Sequence, residues 1–169
     1  YQILINDKID NILSKKINSI NSDKKILFVY DKKIDLTIVK QIITILRQNG
    51  CFLIPLEFQG NKKNKNEKSL FSLLSVMLDN KFTKKSIVIA LGGGVLGDVA
   101  ALAASLYYRG TLYFSIPTTM TSIIDSCVGG KTGINFKNII NSIGNYYHPH
   151  TIFIFNQIIK KIPEREYIE

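Results

Sequence analysis

Apolar and polar positions follow two periods that alternate along the chain. Residues 25–30 and 51–58 are continuous runs rich in β-branched and aromatic side chains, as expected of buried strands. Residues 36–48 instead repeat their apolar side chains every three or four positions, which indicates an amphipathic helix. Strands that alternate with helices are typical of a parallel sheet. The pattern therefore predicts one Rossmann-like α/β domain over residues 1–169, with about six or seven mainly parallel strands and helices on both faces.

The same reasoning predicts the remaining elements. Further strands are expected at residues 86–91, 111–116 and 151–155. Further helices are expected after an N-terminal cap at Ser69, at residues 99–108, at about 119–127, and from Pro163 onward. Residues 59–68 are the most polar stretch and predict a loop. The chain opens on an alternating segment rather than on Met, as expected of an excised domain.

A buried strand runs directly into glycines at residues 88–98, VIALGGGVLGD. Glycines allow the backbone to approach a ligand closely, and the free N–H groups at the start of the following helix favour a diphosphate. The spacing differs from the usual GxGxxG fingerprint, so a tight turn packed on the sheet is the alternative interpretation. The segment nevertheless predicts a dinucleotide site.

Polar and charged side chains follow in the second half of the chain. Thr118 and Thr119 end a predicted strand, Arg109 precedes that strand, and Asp125 and Lys131 flank or enter a second glycine-rich loop at residues 129–133. Because ligands of open parallel sheets bind at the carboxyl ends of the strands, we expect these groups to converge beside the first glycine loop. Such a crevice suits a phosphorylated, polyhydroxylated ligand next to a nucleotide.

Composition and charge exclude several classes of function. The 169 residues are 46% hydrophobic, but charged and polar residues interrupt every apolar run well short of a membrane-spanning length. The net charge of +9 resides mainly in residues 1–85, whose lysines are scattered and not interleaved with aromatic residues, so we expect a solvated surface and not a nucleic-acid groove. Cys51 and Cys127 are far apart and predict neither a disulfide nor a metal site. We expect a reducing compartment, the cytoplasm, with a plastid as the alternative.

Four blocks in this order, GGGVLGD, YRG, PTT and DSCVGGKTGIN, resemble 3-dehydroquinate synthase. The resemblance covers essentially the whole chain, and the last block is its most specific part. It implies a lyase of the shikimate pathway that converts 3-deoxy-D-arabino-heptulosonate 7-phosphate to 3-dehydroquinate and phosphate, using NAD and a bound zinc or cobalt ion. It also implies a homodimer and a helical C-terminal metal domain that this chain lacks.

The resemblance assigns roles to individual residues. The implied cofactor residues are Asp31, Lys68, Gly93, Gly94, Val95, Gly97, Asp98, Thr118, Thr119, Lys131 and Lys161. The implied substrate or catalytic residues are Arg109, Asp125, Lys131 and Asn141, with Arg109 reaching the phosphate across the dimer interface. No metal ligand is assigned, because the zinc ligands are expected past Glu169 and because His148 and His150 flank a proline in a predicted loop.

Two positions depart from the family pattern. Lys65 stands where the family has a glutamate in Gly-Glu-x-x-Lys, and Ile140 stands where it has a lysine in Gly-Lys-Asn-x-Ile-Gly. An aliphatic group cannot replace an ammonium that faces phosphate, so either Lys137 reaches the site or activity is impaired. The alternatives are another sugar phosphate cyclase, such as a 2-deoxy-scyllo-inosose or aminodehydroquinate synthase, a member of the glycerol or iron-dependent alcohol dehydrogenase group, and a non-catalytic nucleotide-binding remnant.

Overall fold

A computed structural model describes residues 1–162 and consists of a parallel sheet, flanking helices and a separate hairpin. The strands are β1 (Gln2–Asn6), β2 (Lys25–Asp31), β3 (Phe52–Phe58), β4 (Ile87–Gly92), β5 (Leu112–Pro117), β6 (Lys131–Phe136), β7 (Ile139–Tyr146) and β8 (Thr151–Phe155). The helices are α1 (Ile12–Asn18), α2 (Leu36–Gln48), α3 (Glu67–Asp79), α4 (Gly94–Leu106) and α5 (Asn156–Ile159). Two 3₁₀ turns, Lys62–Asn64 and Tyr107–Arg109, and a π-helical segment, Ser122–Ser126, complete the described chain.

Six strands form the main sheet in the order β1-β8-β5-β4-β2-β3, and every pairing in it is parallel. Alternate side chains of each central strand enter different cores. Ile26 and Phe28 pack in the core that contains residues of α1 and α2, whereas Leu27 and Val29 pack in the core that contains residues of α3 and α4. The predicted Rossmann-like α/β fold, with helices on both faces, is confirmed.

Helix α4 begins at Gly94 and ends at Leu106, so the predicted bounds of residues 99–108 are wrong at both ends. Its first turn contains glycines because neighbouring segments approach closely: a Cβ at position 94 would lie 2.7 Å from Ser126 Oγ. Tertiary packing, and not helix propensity, therefore sets where this helix starts. Its remaining residues are mostly Ala, Leu and Val, and nearly all are buried between the sheet and α3.

The first turn of α3 also differs from the prediction. The helix begins at Glu67, and its N-terminal cap is Asn66, whose side chain accepts a hydrogen bond from the Ser69 backbone N–H at 2.9 Å. Ser69 is thus a donor to the cap and not the cap itself. The preceding 3₁₀ turn, Lys62–Asn64, lies in the stretch predicted to be a loop.

The predicted second glycine-rich loop, residues 129–133, is in part a strand. Its last residues begin β6, which pairs with β7 in an antiparallel hairpin, with Gly133 opposite Gly144. Lys137 and Asn138 connect the strands, and both have positive φ values, 46° and 64°, as in a two-residue type I′ turn. The buried side chain of Ile134 packs the hairpin against the α4 side of the sheet.

Over the part of the chain that the structure describes, no helix is both long and apolar enough to cross a membrane. The helix predicted from Pro163 lies outside the described residues.

Candidate functional site

A cavity of about 730 Å³ opens at the carboxyl ends of β2, β4 and β5, and we call it the glycine cavity. It is lined by Asp31, Lys33, Ile34, Asp35, Ile38, Gly60, Gly93, Gly94, Val95, Thr118, Thr119, Ile158, Lys161 and Ile162. Its floor is the start of α4, where the capping residue Gly93 has an extended backbone and no side chain of the described residues caps the helix. The uncapped N–H groups and the helix dipole make this end of α4 favourable for an anion.

One end of the glycine cavity carries a carboxylate. Asp31 ends β2 and is 8% exposed, and its Oδ1 accepts a hydrogen bond from the Lys33 backbone N–H at 2.9 Å. Gly60 passes so close that a Cβ there would collide with Asp31 Oδ2. The carboxylate is therefore held in one orientation beside the cavity, as an acceptor for hydroxyl groups needs to be.

Part of the lining of the same cavity is apolar. Ile34 lies just before α2 and Ile38 in its first turn, while Ile158 belongs to α5 and Ile162 follows it. These four side chains form what we call the isoleucine slot. Its rim is closed by an ion pair of 2.5 Å between Lys161 Nζ and Asp35 Oδ2. The Lys161 hydrogen bond and then the Thr37 backbone N–H lower the pKa of Asp35 to about 2.

A second cavity of about 580 Å³, which we call the hairpin crevice, lies between α4, the π-helical segment and the hairpin. It is lined by Asp98, Asp125, Ser126, Lys131, Thr132, Gly133, Asn141, Gly144, Asn145 and Tyr146. Carboxylates, an ammonium, hydroxyls and amides thus face one volume. Asp98 lies one turn along α4 from Val95, so the two cavities border the same helix within one turn of each other.

Lys65 reaches the rim of the hairpin crevice from the segment before α3. Its Nζ lies 2.5 Å from Asp98 Oδ2 and 2.6 Å from Asn141 Oδ1, and its side chain is 13% exposed. The Asn135 side chain accepts a hydrogen bond from the Asn141 N–H at 3.0 Å, and the Asn135 N–H donates to the Lys65 carbonyl at 2.9 Å. This network connects α4, the hairpin and the chain before α3.

Burial raises the pKa of the Asp98 carboxyl above its ordinary value. The hydrogen bond from Lys65 opposes that shift, and the nearby negative charge of Asp125 adds to it. The ion pair with Lys65 is thus what favours the charged form of a carboxyl that its surroundings disfavour. Removal of the ammonium would leave Asp98 a mostly buried carboxyl with a second carboxylate nearby.

The structure brings together most residues that the sequence selected. The glycine cavity contains Asp31, Gly93, Gly94, Val95, Thr118, Thr119 and Lys161. The hairpin crevice contains Asp98, Asp125, Lys131 and Asn141. Gly97 lies on α4 between them, and its carbonyl accepts a hydrogen bond from Tyr113 Oη at 3.3 Å.

Two selected residues lie elsewhere. Lys68 is exposed in the first turn of α3, and neither cavity is lined by it. Arg109 is exposed directly before β5, at the amino end of the sheet, so the length of α4, about 20 Å, separates it from the cavities at the carboxyl ends. The expectation that Arg109 converges with the other groups is therefore wrong for groups of the same chain. Its predicted role depends on a partner copy.

The position of the missing family lysine is solvent-exposed. Ile140 is 76% exposed on β7. Lys137 does not line the crevice, because it lies in the hairpin turn with its Nζ 5.6 Å from the centre of the Phe136 ring. The ammonium that contacts Asn141, next to Ile140, is that of Lys65. Sequence reading noted Lys65 only as a departure from the family pattern, because the run of lysines at residues 62–68 does not show which one the fold turns inward.

The two histidines have local structural partners. His148 stacks on Tyr1 with ring centres 5.3 Å apart, and His150 Nδ1 lies 3.1 Å from Thr151 Oγ1. Burial and neighbouring positive charge lower the pKa of His150. Within residues 1–162, no three His, Cys, Asp or Glu side chains are grouped as metal ligands. Assignment of the metal ligands to chain outside this sequence stays a prediction.

Residues 55–169 match the family model described as the 3-dehydroquinate synthase N-terminal domain. The chain belongs to the 3-dehydroquinate synthase family. Among curated members, it is 37% identical over 163 residues to the 3-dehydroquinate synthase of Clostridium tetani, with 96% of this chain and 43% of that protein covered. It is 36% identical over 170 residues to that of Pelagibacter ubique, with 99% and 45% covered. The chain thus spans less than half the length of these family members.

Solved structures share the fold. The 2-epi-5-epi-valiolone synthase of Streptomyces hygroscopicus, solved with NAD⁺ and Zn²⁺, superposes with a TM-score of 0.87 at 26% identity and covers 98% of this chain and 46% of its own. A 2-deoxy-scyllo-inosose synthase, solved with carbaglucose-6-phosphate, NAD⁺ and Co²⁺, gives 0.85 at 23% identity and covers 97% and 44%. An iron-containing alcohol dehydrogenase of Thermotoga maritima gives 0.81 at 14% identity, which shows a common fold alone.

Proposed function

We propose that this chain is the NAD-binding half of a 3-dehydroquinate synthase, which converts 3-deoxy-D-arabino-heptulosonate 7-phosphate to 3-dehydroquinate and phosphate. One observation carries the proposal: an uncapped helix start, Gly93 to Val95, opens into a cavity of about 730 Å³, and a second, charged crevice lies within one turn of it along the same helix. A domain that bound only a dinucleotide would need just the first cavity. The second cavity provides space for a polar substrate beside the cofactor.

The residues of the glycine cavity fit the parts of NAD. The backbone at Gly93 and Gly94 would hold the diphosphate, and Asp31 would accept hydrogen bonds from the adenosine ribose. The isoleucine slot would receive the flat, largely apolar adenine ring. When bound, NAD supplies the reversible uptake of a hydride from a substrate carbon. The role of the protein is to hold the nicotinamide end toward the hairpin crevice.

The residues of the hairpin crevice fit an anionic substrate with several hydroxyl groups. The exposed Lys131 ammonium would bind the phosphate or carboxylate, and Asp125 and Asn141 would bind hydroxyl groups. Lys65 would keep Asp98 charged beside the start of α4. Ile140 leaves the lysine position of the family without an ammonium. The contact of Lys65 with Asn141 would compensate for this, since it brings an ammonium to the same strand.

The remaining parts of the site would come from elsewhere. In this proposal a zinc or cobalt ion is held by residues outside this sequence, and Arg109 reaches the substrate phosphate of a partner copy in a homodimer. The exposed Tyr108 and the left-handed backbone of Arg109, with φ of 62°, present that side chain at the surface. A cytoplasmic location and a plastid alternative stay predictions.

Two measurements test the proposal. Calorimetric titration of the chain with NAD should show binding, and the complete gene product with Zn²⁺ should release phosphate from 3-deoxy-D-arabino-heptulosonate 7-phosphate and form 3-dehydroquinate. Binding without turnover by the complete product would support a non-catalytic remnant, the interpretation that Ile140 motivates. Turnover of glucose 6-phosphate in place of the heptulosonate would support a 2-deoxy-scyllo-inosose synthase.

A further inference from the structure

Helix α5 forms one wall of the glycine cavity, yet it is a single turn of four residues. A helix of this length has little stability of its own, because the cost of nucleation is not repaid by so few hydrogen bonds. Its position must therefore be fixed by contacts with other elements. The described contacts include a closed ring of hydrogen bonds that involves none of the residues assigned to cofactor or substrate.

The ring joins three parts of the chain that are far apart in sequence. Gln157 Nε2 donates to Gln41 Oε1 at 3.0 Å, and Gln41 Nε2 donates to the Ile9 carbonyl at 2.7 Å. The Ile9 N–H then donates to Gln157 Oε1 at 3.1 Å, which closes the ring. Because the backbone of Ile9 offers an N–H that can only donate and a carbonyl that can only accept, it determines the orientation of both side-chain amides.

Further bonds fasten α5 to the same segment. The Gln157 N–H donates to the Asp7 carbonyl at 2.9 Å, and Asn156 Nδ2 donates to Asp7 Oδ1 at 2.7 Å. Ile9 itself is buried in the core beneath α1 and α2. The segment after β1 thus acts as a fixed support to which both α2 and α5 are bonded.

The ring lies directly beside the isoleucine slot. Gln41 is one helical turn after Ile38 on α2, and Gln157 immediately precedes Ile158 on α5. Ile38 and Ile158 both line the slot, one from α2 and the other from α5. A fixed distance between the two glutamines therefore holds these two side chains at a fixed spacing.

We infer that Gln157 and Gln41 are positioning residues that set the width of the isoleucine slot for the adenine ring of a dinucleotide. The inference rests on the proposed function, since it assigns the slot to the adenosine half of the cofactor. Neither glutamine lines the cavity, so both act through the walls that they hold. Loss of the ring should thus weaken binding of the adenosine half selectively and leave the other half of the dinucleotide little affected.

The test compares two halves of NAD as separate ligands. Gln157→Met keeps the side-chain length but removes the amide. We expect calorimetry on this variant to show AMP affinity reduced about tenfold and nicotinamide mononucleotide affinity changed less than about twofold. Gln41→Met breaks the ring from the other side and should give the same pattern. It also provides the test if the first variant does not fold.

Gln48→Met is the matched control, because Gln48 is an exposed residue at the end of α2 and lies outside the ring. Unchanged AMP affinity in folded ring variants, or equal weakening of both half-ligands, would overturn the inference, since the ring would then be dispensable or only stabilise the fold. Failure of the unaltered chain to bind AMP or NAD would instead overturn the proposed function, and the inference with it.

Discussion

The glycine cavity and the hairpin crevice both border the start of α4, but they are built in opposite ways. The glycine cavity lies at the ends of buried strands, and its central feature is backbone: glycines and uncapped N–H groups. The hairpin crevice borders β7, in which all eight residues are exposed, and its charged groups are side chains held by one another. The first should therefore be sensitive to added atoms, and the second to removed charges.

The largest effect is expected from an added side chain in the glycine cavity. Gly94→Val should weaken NAD binding at least about 100-fold, a loss of about 3 kcal/mol, because the new atoms would meet Ser126 Oγ and occupy the diphosphate position. Gly129→Ala is the control, since a Cβ there would have its nearest contact at 4.0 Å and φ is not in the left-handed region. Calorimetry measures both. Equal affinities would show that the diphosphate does not bind at this helix start.

The next effect is expected from a removed charge in the hairpin crevice. Lys65→Met should lower kcat/KM of the complete enzyme by about 30-fold, because it leaves the Asp98 carboxyl buried without its partner. Lys68→Met, three residues further on at an exposed position, should change kcat/KM less than about twofold. Steady-state kinetics on both variants decide between the two lysines. The reverse result would restore the role that the sequence first gave to Lys68.

An effect of intermediate size on cofactor binding is expected from a substitution of Asp31, whose side chain lines the glycine cavity. Asp31→Asn should weaken NAD binding about tenfold and improve NADP binding relative to NAD, because the proposed role of the carboxylate is to accept ribose hydroxyl groups, and its charge would repel a 2′-phosphate. Lys33 and Lys161 already face the cavity and could pair with that phosphate. Titration with both cofactors gives the ratio. An unchanged ratio would place the ribose away from Asp31.

The smallest effect concerns the exposed ion pair at the rim. Because the pKa of Asp35 is lowered to about 2, its charged form contributes stability above about pH 4, and that contribution is lost as the pH falls toward 2. Asp35→Asn should lower the Tm by about 1–2 °C at pH 7 and by nothing measurable near pH 2. Asp79→Asn, at an exposed position, is the control for the thermal melts. A Tm difference that persists at low pH would contradict this assignment.

Sequence reading predicted the main sheet because its strands and helices bury their apolar residues with regular periods. It did not predict the hairpin, because β7 has no buried face and therefore no regular repeat of apolar positions. The signal that was present is the pair Lys137 and Asn138 between two apolar residues, but neither is glycine, so the turn was inconspicuous. The start of α4 was placed too late because Gly94 and Gly97 resemble turn residues, and their packing becomes visible only in three dimensions.

The glycine cavity was easier to predict than the hairpin crevice. Its residues follow from one rule, that ligands bind where parallel strands end, and from the glycine turn itself. The hairpin crevice depends on which lysine of a lysine-rich stretch turns inward, and the 3₁₀ turn Lys62–Asn64 decides that. Arg109 was grouped with the site because its YRG block belongs to the same family-like series as PTT, although the length of β5 separates Arg109 from Thr118.

Strand β1 has consequences for the order of folding. It is first in the chain and pairs with β8, whose residues come about 150 positions later. On a ribosome, β1 must therefore wait for most of the domain to be synthesised before it gains its partner. The segment that follows β1 also supports α5. The isoleucine slot is thus completed only after α5 has been synthesised and has met the segment that follows β1.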